Sequence, residues 1–239
     1  QFMFKDGRIP ANVAQLIDLP KIHEKPILRL EIDEVARMLD AAQSGEALSP
    51  QQKAFHEHTK ARDLAMLTLF LGTGIRVSEC VGLNLEDVDF TNNSFLVTRK
   101  GGAQVILYFS DEVAQALKAY LALRKEMHPL PGHENAFFLS IQNKRMGVRS
   151  VENMVKKYAL IAAPLKKRLS PHKLRSTFGT NLYHETGDIY LVADVLGHSD
   201  VNTTRKHYAA MSDDRRRMAA KAVKLRDDPE NEPPEKTDQ

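Results

Sequence analysis

The sequence contains little cysteine and lacks a long apolar run, and each of these absences excludes a class of protein. Cys80 is the single cysteine among 239 residues, which excludes an internal disulfide framework and a multi-cysteine zinc site. The longest apolar candidate, residues 64–71, is too short to span a bilayer and predicts a buried helix. The N-terminus has no basic segment followed by an apolar block, as a signal peptide would have. We therefore expect a soluble, cytoplasmic protein with no membrane partner.

Charge is small in total but unevenly distributed. The net charge is +3, yet residues 144–175 carry ten Lys and Arg against one acid, and residues 205–226 carry eight against two. The last thirteen residues carry six acids against Lys236. A basic body with an acidic tail suggests a polyanionic partner such as nucleic acid. Lysines that merely solvate helix faces produce the same composition, so charge alone does not distinguish a nucleic-acid-binding surface from an ordinary one.

Hydrophobic periodicity predicts a mainly α chain with a small antiparallel three-stranded β-sheet. A helix is expected to begin at Glu31, after which a polar loop covers residues 42–52. Runs rich in branched and aromatic residues predict the three strands at 88–90, 94–99 and 104–109. Further helices are expected at about 58–71, 111–126, 148–162, 172–185 and 188–196, with one or two between 200 and 225. Asp111 or Ser110 is expected to cap the helix at 111–126.

The segment SPHKLRSTFGT places a histidine and an arginine at the start of a helix. Ser170 suits the N-cap and Pro171 the first helical position, so His172 and Arg175 lie about one turn apart. Free amide groups and the helix dipole favour an anion at that end. An ordinary amphipathic helix with a surface His and Arg is the alternative.

Two motifs follow downstream. In LGHSD, Gly197 is expected to end a helix and to leave His198 in the turn. Ten residues later, Tyr208 lies among cations that would help its phenol lose a proton during attack. Tyr158, Tyr183 and Tyr190 have apolar helical surroundings, and we expect them in the core.

A second guanidinium comes from far upstream, in LGTGIRVSECVGLNLEDVDF. The tight glycine turn before Arg76 would hold its side chain rigidly. Glu79 could orient Arg76, or a neighbouring histidine, without itself touching the substrate. A surface arginine that merely starts a helix is the alternative.

Together these motifs resemble the tyrosine recombinases, the phage-integrase and Xer-like family, over roughly residues 20–225. The resemblance implies the catalytic-domain fold of that family, the DNA breaking-rejoining fold. It also implies a lysine at the tip of the β-hairpin, which aligns best at Lys100, with Arg99 as its immediate competitor. The family pattern GKGxKxR is not kept after Gly101, where Gly102, Ala103 and Gln104 stand.

The resemblance divides the chain into three parts. Residues 1–30, interrupted by prolines, are expected to be an interdomain linker and the remnant of a missing N-terminal core-binding domain. Residues 31–226 would form the catalytic domain. Residues 227–239 are polar, acidic and proline-containing, and are expected to be a disordered tail.

As function, the resemblance implies a site-specific recombinase or integrase of a phage or mobile element, acting at the bacterial nucleoid. Cleavage would pass through a 3′-phosphotyrosine without metal or cofactor. The implied catalytic set is listed here: Arg76, Lys100, His172, Arg175, His198 and Tyr208. The basic residues expected to contact DNA are Lys144, Arg145, Arg149, Lys173 and Arg205.

The implied partners are a double-stranded recombination site and three further copies of the chain. Four protomers would act on two duplexes, joined through the C-terminal segment, which could equally fold back on its own protomer. Accessory DNA-bending proteins are a further possible partner. The rival functions are relaxation of DNA by a type IB topoisomerase and DNA binding without catalysis on the same fold.

Overall fold

A computed structural model describes residues 2–8, 10, 28–99, 101–166, 168–198 and 204. The described residues form eight α-helices and one three-stranded sheet. The helices are α1 (Phe2–Lys5), α2 (Ile32–Ser44), α3 (Pro50–Thr73), α4 (Val77–Gly82), α5 (Asp111–Lys125), α6 (Val148–Ala162), α7 (Pro171–Thr186) and α8 (Ile189–Leu196). The strands are β1 (Val88–Asp89), β2 (Ser94–Thr98) and β3 (Gln104–Tyr108).

Helix α3 is the central element of the core. It packs against α2, α5 and α7, and residues 65–70 in its C-terminal half are buried on every side. Because the apolar residues there surround the whole helix, it has to be enclosed by other elements. This burial fixes the end of α3, and with it the turn that leads to Arg76.

The loop expected over residues 42–52 is wrong at both ends, because α2 continues to Ser44 and α3 begins at Pro50. Ser49 accepts a hydrogen bond from the backbone N–H of Gln52, and Gln52 accepts one from the N–H of Ser49. Pro50 occupies the first helical position. This capping box starts α3 eight residues before the predicted helix at 58.

The predicted antiparallel sheet is confirmed, with strand order β1-β2-β3. Phe95 pairs with Leu107 in the β2–β3 register, and its ring stacks on Phe109 with centroids 5.9 Å apart. The inner face therefore joins the main core, while Ile106 and Tyr108 remain exposed on the other face. The β2–β3 turn is closed by a 2.8 Å hydrogen bond from the Arg99 N–H to the Ala103 carbonyl.

Helices α7 and α8 pack together at the end of α3. Val192 and Leu196 of α8 are fully buried and contact Phe178 of α7. Gly74, with φ +63°, ends α3, and a Cβ on it would lie 2.4 Å from the Phe178 ring and 2.9 Å from a Leu196 methyl. Only glycine lets the two helices approach this turn so closely.

Other expectations are confirmed, corrected or outside the described residues. Ser110 is the N-cap of α5, and Gly197 ends α8 in the left-handed conformation. The prediction that Tyr190 lies in the core is wrong, because its side chain is 71% exposed on α8. The helices expected between 200 and 225 and the tail 227–239 lie outside the described residues, apart from residue 204. Among the described helices, none has the length and apolar character needed to cross a membrane.

A buried ionic cluster joins α3 to α6. Asp63 is 1% exposed and accepts hydrogen bonds from Arg62 at 2.7 Å, from Lys157 at 3.0 Å and from the Tyr158 hydroxyl at 3.0 Å. Arg62 also donates to the Leu139 carbonyl at 3.0 Å. A buried charge with this many partners is balanced, and removal of the carboxylate would leave two cations and a hydroxyl without their acceptor.

We therefore predict that Asp63→Ala lowers the free energy of unfolding by about 3 kcal/mol, measured by urea denaturation. Glu57→Ala is the control, because Glu57 forms an exposed pair with Lys60 on the same helix, and it is expected to leave the midpoint unchanged. A loss in the Asp63 variant no larger than that of the control would contradict the prediction.

Candidate active site

Three arginines from separate parts of the chain converge on the C-terminal end of α8. Arg76 comes from the start of α4, Arg99 from the residue after β2, and Arg175 from α7. Each donates hydrogen bonds to main-chain carbonyls of residues 194–197. The last carbonyls of a helix have no partner inside the helix, and the dipole makes that end negative, so cations are stabilised there.

Arg76 is held from two sides. Its Nη1 donates to Glu79 Oε1 at 2.8 Å, and its own backbone N–H donates to Glu79 Oε2 at 2.9 Å. Its Nη2 donates to the carbonyls of Leu196 at 3.2 Å and Gly197 at 2.9 Å. The Glu79 side chain is only 4% exposed and that of Arg76 is 35% exposed, so a buried carboxylate orients a guanidinium that remains partly open to solvent.

Arg175 is the buried member of the group, at 6% exposure. Its Nη1 donates to the Gly74 carbonyl and its Nη2 to the Leu196 carbonyl. This side chain therefore links α7 to the ends of both α3 and α8. Planar guanidinium groups with several donors suit such bridging, as they suit the oxygens of a phosphate.

The two predicted histidines lie on α7 and directly after α8. The backbone N–H of His198 donates to the Ala193 carbonyl at 2.9 Å, and its Nδ1 is 2.7 Å from Thr204 Oγ1. The turn at Gly197 thus places His198 directly after the two residues whose carbonyls accept from Arg76. His172 is exposed in the first turn of α7, one turn before Arg175.

The sequence of the chain matches the model of the phage integrase family over residues 29–215. That span covers most of the chain and includes all six predicted catalytic residues. The chain belongs to the phage integrase family.

Curated relatives of this phage integrase domain carry the names of Xer recombinases. The chain is 33% identical over 207 residues to the tyrosine recombinase XerC of Thermodesulfovibrio yellowstonii, covering 85% of this chain and 65% of the relative. It is 37% identical over 172 residues to the tyrosine recombinase XerS of Streptococcus equi subsp. zooepidemicus, covering 71% and 48%. The chain thus spans about half to two thirds of the length of these relatives.

Solved structures show the same fold. The crystal structure of XerA recombinase matches with a TM-score of 0.67 at 26% identity, covering 83% of this chain and 66% of that one. The Tn1549 transposon integrase in complex with a circular intermediate DNA matches with a TM-score of 0.65 at 22% identity, covering 93% and 74%. The predicted tyrosine recombinase catalytic-domain fold is therefore confirmed.

Two of the described tyrosines are unsuited to be the nucleophile of an integrase domain. Burial, followed by the nearby charge of Asp63, raises the pKa of Tyr158, whose hydroxyl already donates to that carboxylate. Burial also raises the pKa of Tyr120, and its hydroxyl accepts a hydrogen bond from the Leu139 N–H at 2.9 Å. Tyr208 lies outside the described residues, and its role stays a prediction.

Tyr183 and Tyr190 have different surroundings on α7 and α8. Tyr183 is half-buried and packs against the Val192 and Leu196 cluster, as expected. Tyr190 is exposed, so its helical context alone does not remove it as a competitor for the nucleophile.

The residues predicted to contact DNA differ in the contacts that they make within the chain. Lys144 and Arg149 are exposed, Arg149 being 3.1 Å from Glu152, and Lys173 is half-buried. Arg145 donates to the carbonyls of residues 81–83 at 2.9–3.0 Å and to Asn84 Oδ1 at 2.6 Å. These bonds bind the end of α4, so Arg145 has a structural role besides any contact with DNA. Lys100 and Arg205 lie outside the described residues.

Sequence reasoning did not predict that the Arg99 side chain binds the end of α8 beside the other site arginines. The sequence suggested Arg99 only as a competitor for Lys100 at the hairpin tip, whereas its guanidinium lies on the end of α8. Its position next to a glycine-rich turn was the available signal. No local pattern, however, relates that turn to a helix almost a hundred residues later.

We predict that Glu79→Gln slows formation of the covalent DNA adduct that the family resemblance implies, about ten- to hundredfold, because it replaces the charge-assisted bond that orients Arg76, worth about 1.5–3 kcal/mol. The rate would be followed in single turnover by the shift of labelled DNA on a denaturing gel. The matched control is Asp33→Asn, which removes the charge from an exposed pair with Arg37, 2.8 Å apart. Equal rates in the two variants would refute an orienting role for Glu79.

Proposed function

We propose that this chain is the catalytic domain of a site-specific tyrosine recombinase of a phage or mobile element, which cleaves and exchanges DNA strands. The observation that carries the proposal is the clustering of Arg76, Arg175 and His198 at one end of α8. These are three of the residues that a phosphodiester site of this family requires. The names of the relatives, which are recombinases, support it.

In the proposed cleavage step, the hydroxyl of Tyr208 attacks the scissile phosphorus in line. The bond from the tyrosine oxygen to phosphorus forms, and the bond from phosphorus to the 5′ oxygen breaks. Arg76 and Arg175 bind the non-bridging oxygens and stabilise the charge that develops on them. Lys100 gives its proton to the leaving 5′ oxygen, while His172 and His198 bind the phosphate or assist removal of the phenol proton.

The products are a 3′-phosphotyrosine and a free 5′-hydroxyl. Because the energy of the ester is kept in the covalent bond, a 5′-hydroxyl from a partner strand can reverse the step. Strand exchange therefore needs no nucleotide hydrolysis. Four protomers on two duplexes, joined through the C-terminal segment, would carry out the paired exchanges at the nucleoid in the cytoplasm.

The proposed DNA partner agrees with the basic surface. Lys144, Arg149 and Lys173 belong to the segment with the largest basic excess, and such residues mostly contact phosphates. Among structures of the same fold, XerH recombinase is bound to a difH substrate. We extend duplex DNA to this chain as its partner on these grounds.

A suicide substrate tests the nucleophile. We expect a nicked DNA that loses its short 5′-hydroxyl product to trap a covalent adduct with the wild-type chain, because religation is then prevented. Tyr208→Phe should form none, and Tyr190→Phe is the control because its hydroxyl is exposed but not required. An adduct that persists in Tyr208→Phe, or an unreactive wild type, would overturn the proposed chemistry.

A second measurement separates recombination from its rivals. Joining of two short site-bearing duplexes is expected of a recombinase and not of a type IB topoisomerase, which relaxes supercoils by the same chemistry. Binding without any adduct would favour a DNA-binding protein that keeps the fold.

We also predict that cleavage continues in excess EDTA. In the proposed mechanism, guanidinium groups stabilise the charge on the phosphate and Lys100 protonates the leaving group, so no step depends on a divalent cation. The adduct yield with and without EDTA measures this. A strong loss of adduct in EDTA that added Mg²⁺ restores would contradict the mechanism.

A further inference from the structure

Arg99 joins the β2–β3 turn to the end of α8. Its Nη2 donates to the Val195 carbonyl at 2.9 Å, and its Nη1 lies 3.4 Å from the Asp194 carbonyl. These contacts connect residues that are almost a hundred positions apart. Through these contacts the hairpin reaches the group of arginines around α8.

The backbone of Arg99 also closes the turn. Its N–H donates to the Ala103 carbonyl at 2.8 Å, and its carbonyl accepts from the Gly102 N–H at 3.0 Å. One residue thus fixes the turn internally through its backbone and externally through its side chain. Lys100, the residue proposed to protonate the leaving oxygen, follows it directly in the sequence.

The contact leaves little freedom on the α8 side. A Cβ on Gly197 would lie 1.8 Å from Arg99 Nη1 and 2.2 Å from Cζ, so the guanidinium rests against the glycine that ends the helix. His198 follows that glycine in the chain, and Arg76 donates to the Gly197 carbonyl at 2.9 Å. The hairpin is therefore held at the turn that carries His198 and binds Arg76.

The charges around Arg99 belong to the same site. Burial lowers the pKa of Arg99 from its ordinary value, the carboxylate of Glu79 raises it and the guanidinium of Arg76 lowers it. An arginine still keeps its proton at any ordinary pH, so Arg99 is unsuited to be the acid that protonates the leaving group. Its bonds to two carbonyls suit it to hold a position instead.

We propose that Arg99 is a positioning residue for cleavage: by binding the end of α8 it holds the end of strand β2, from which the chain continues to Lys100, at the site of Arg76 and Arg175. This inference rests on the proposed function and assigns a further residue to it. The alternative is that Arg99 contacts the phosphate itself, as Arg76 and Arg175 are proposed to do.

The test compares two suicide substrates, one with the natural 5′ oxygen at the scissile position and one with sulfur in its place. A thiolate leaves without receiving a proton, so the sulfur substrate does not depend on the general acid. We expect Arg99→Ala to slow cleavage of the oxygen substrate about 10²-fold, as misplacement of a catalytic group does. The same variant should cleave the sulfur substrate at nearly the wild-type rate, as Lys100→Ala should.

Three other outcomes would overturn the inference. Equal losses on both substrates would show a phosphate contact or general damage to the site, and no loss on either would show that the contact does not matter for cleavage. A loss on the oxygen substrate in Arg99→Ala that is absent from Lys100→Ala would show that Arg99 does not act through Lys100. Arg99→Lys, which keeps a donor for one carbonyl, should lie between wild type and alanine.

The matched control is Arg37→Ala. Arg37 also donates to a carbonyl at the end of a helix, that of Ala162 in α6 at 3.1 Å, but away from the site. Hydrogen exchange measures the contact independently of chemistry: Arg99→Ala should speed exchange in the 99–103 turn, and Arg37→Ala should not. Unchanged exchange in Arg99→Ala would refute the contact between Arg99 and α8. If the wild-type chain forms no adduct but Arg99→Ala still speeds exchange, the proposed function is refuted and the contact stands.

Discussion

The site depends on the binding of arginine side chains to the negative C-terminal end of helix α8. Its last carbonyls bind the guanidinium groups of Arg76, Arg99 and Arg175, which come from three distant parts of the chain. Unpaired carbonyls and the helix dipole stabilise such cations. Three like charges would otherwise repel one another, so the helix end allows the protein to hold them together. A group of cations assembled in this way is suited to receive a phosphate.

Two glycines make this arrangement sterically possible. Gly74 lets Phe178 and Leu196 approach the turn before Arg76, and Gly197 lets the guanidinium of Arg99 rest on the end of α8. Both have positive φ, at +63° and +58°, which other residues adopt only with strain. The same two positions that end helices α3 and α8 therefore also set the distances within the site.

Local patterns predicted most of the secondary structure. The strands, the bounds of α6 and the caps at Ser110 and Gly197 follow from alternation and capping chemistry, which act over a few residues. The start of α3 was predicted eight residues too late because polar residues before His58 concealed a capping box at Ser49. Tyr190 was placed in the core because its neighbours are apolar, yet a helix of eight residues packed on one side leaves its other face in solvent.

The sequence by itself determined the family, the order of the site residues and the elements that carry them, because motifs and short-range periodicity are written in neighbouring residues. Only the tertiary structure decided that Arg76 and Arg175 meet at the end of α8 and that Arg99 joins them. It also gave Arg145 a partner in the end of α4. Such contacts depend on how helices pack over separations of sixty to more than a hundred residues. No local pattern encodes that packing, since it follows from burial of the whole core.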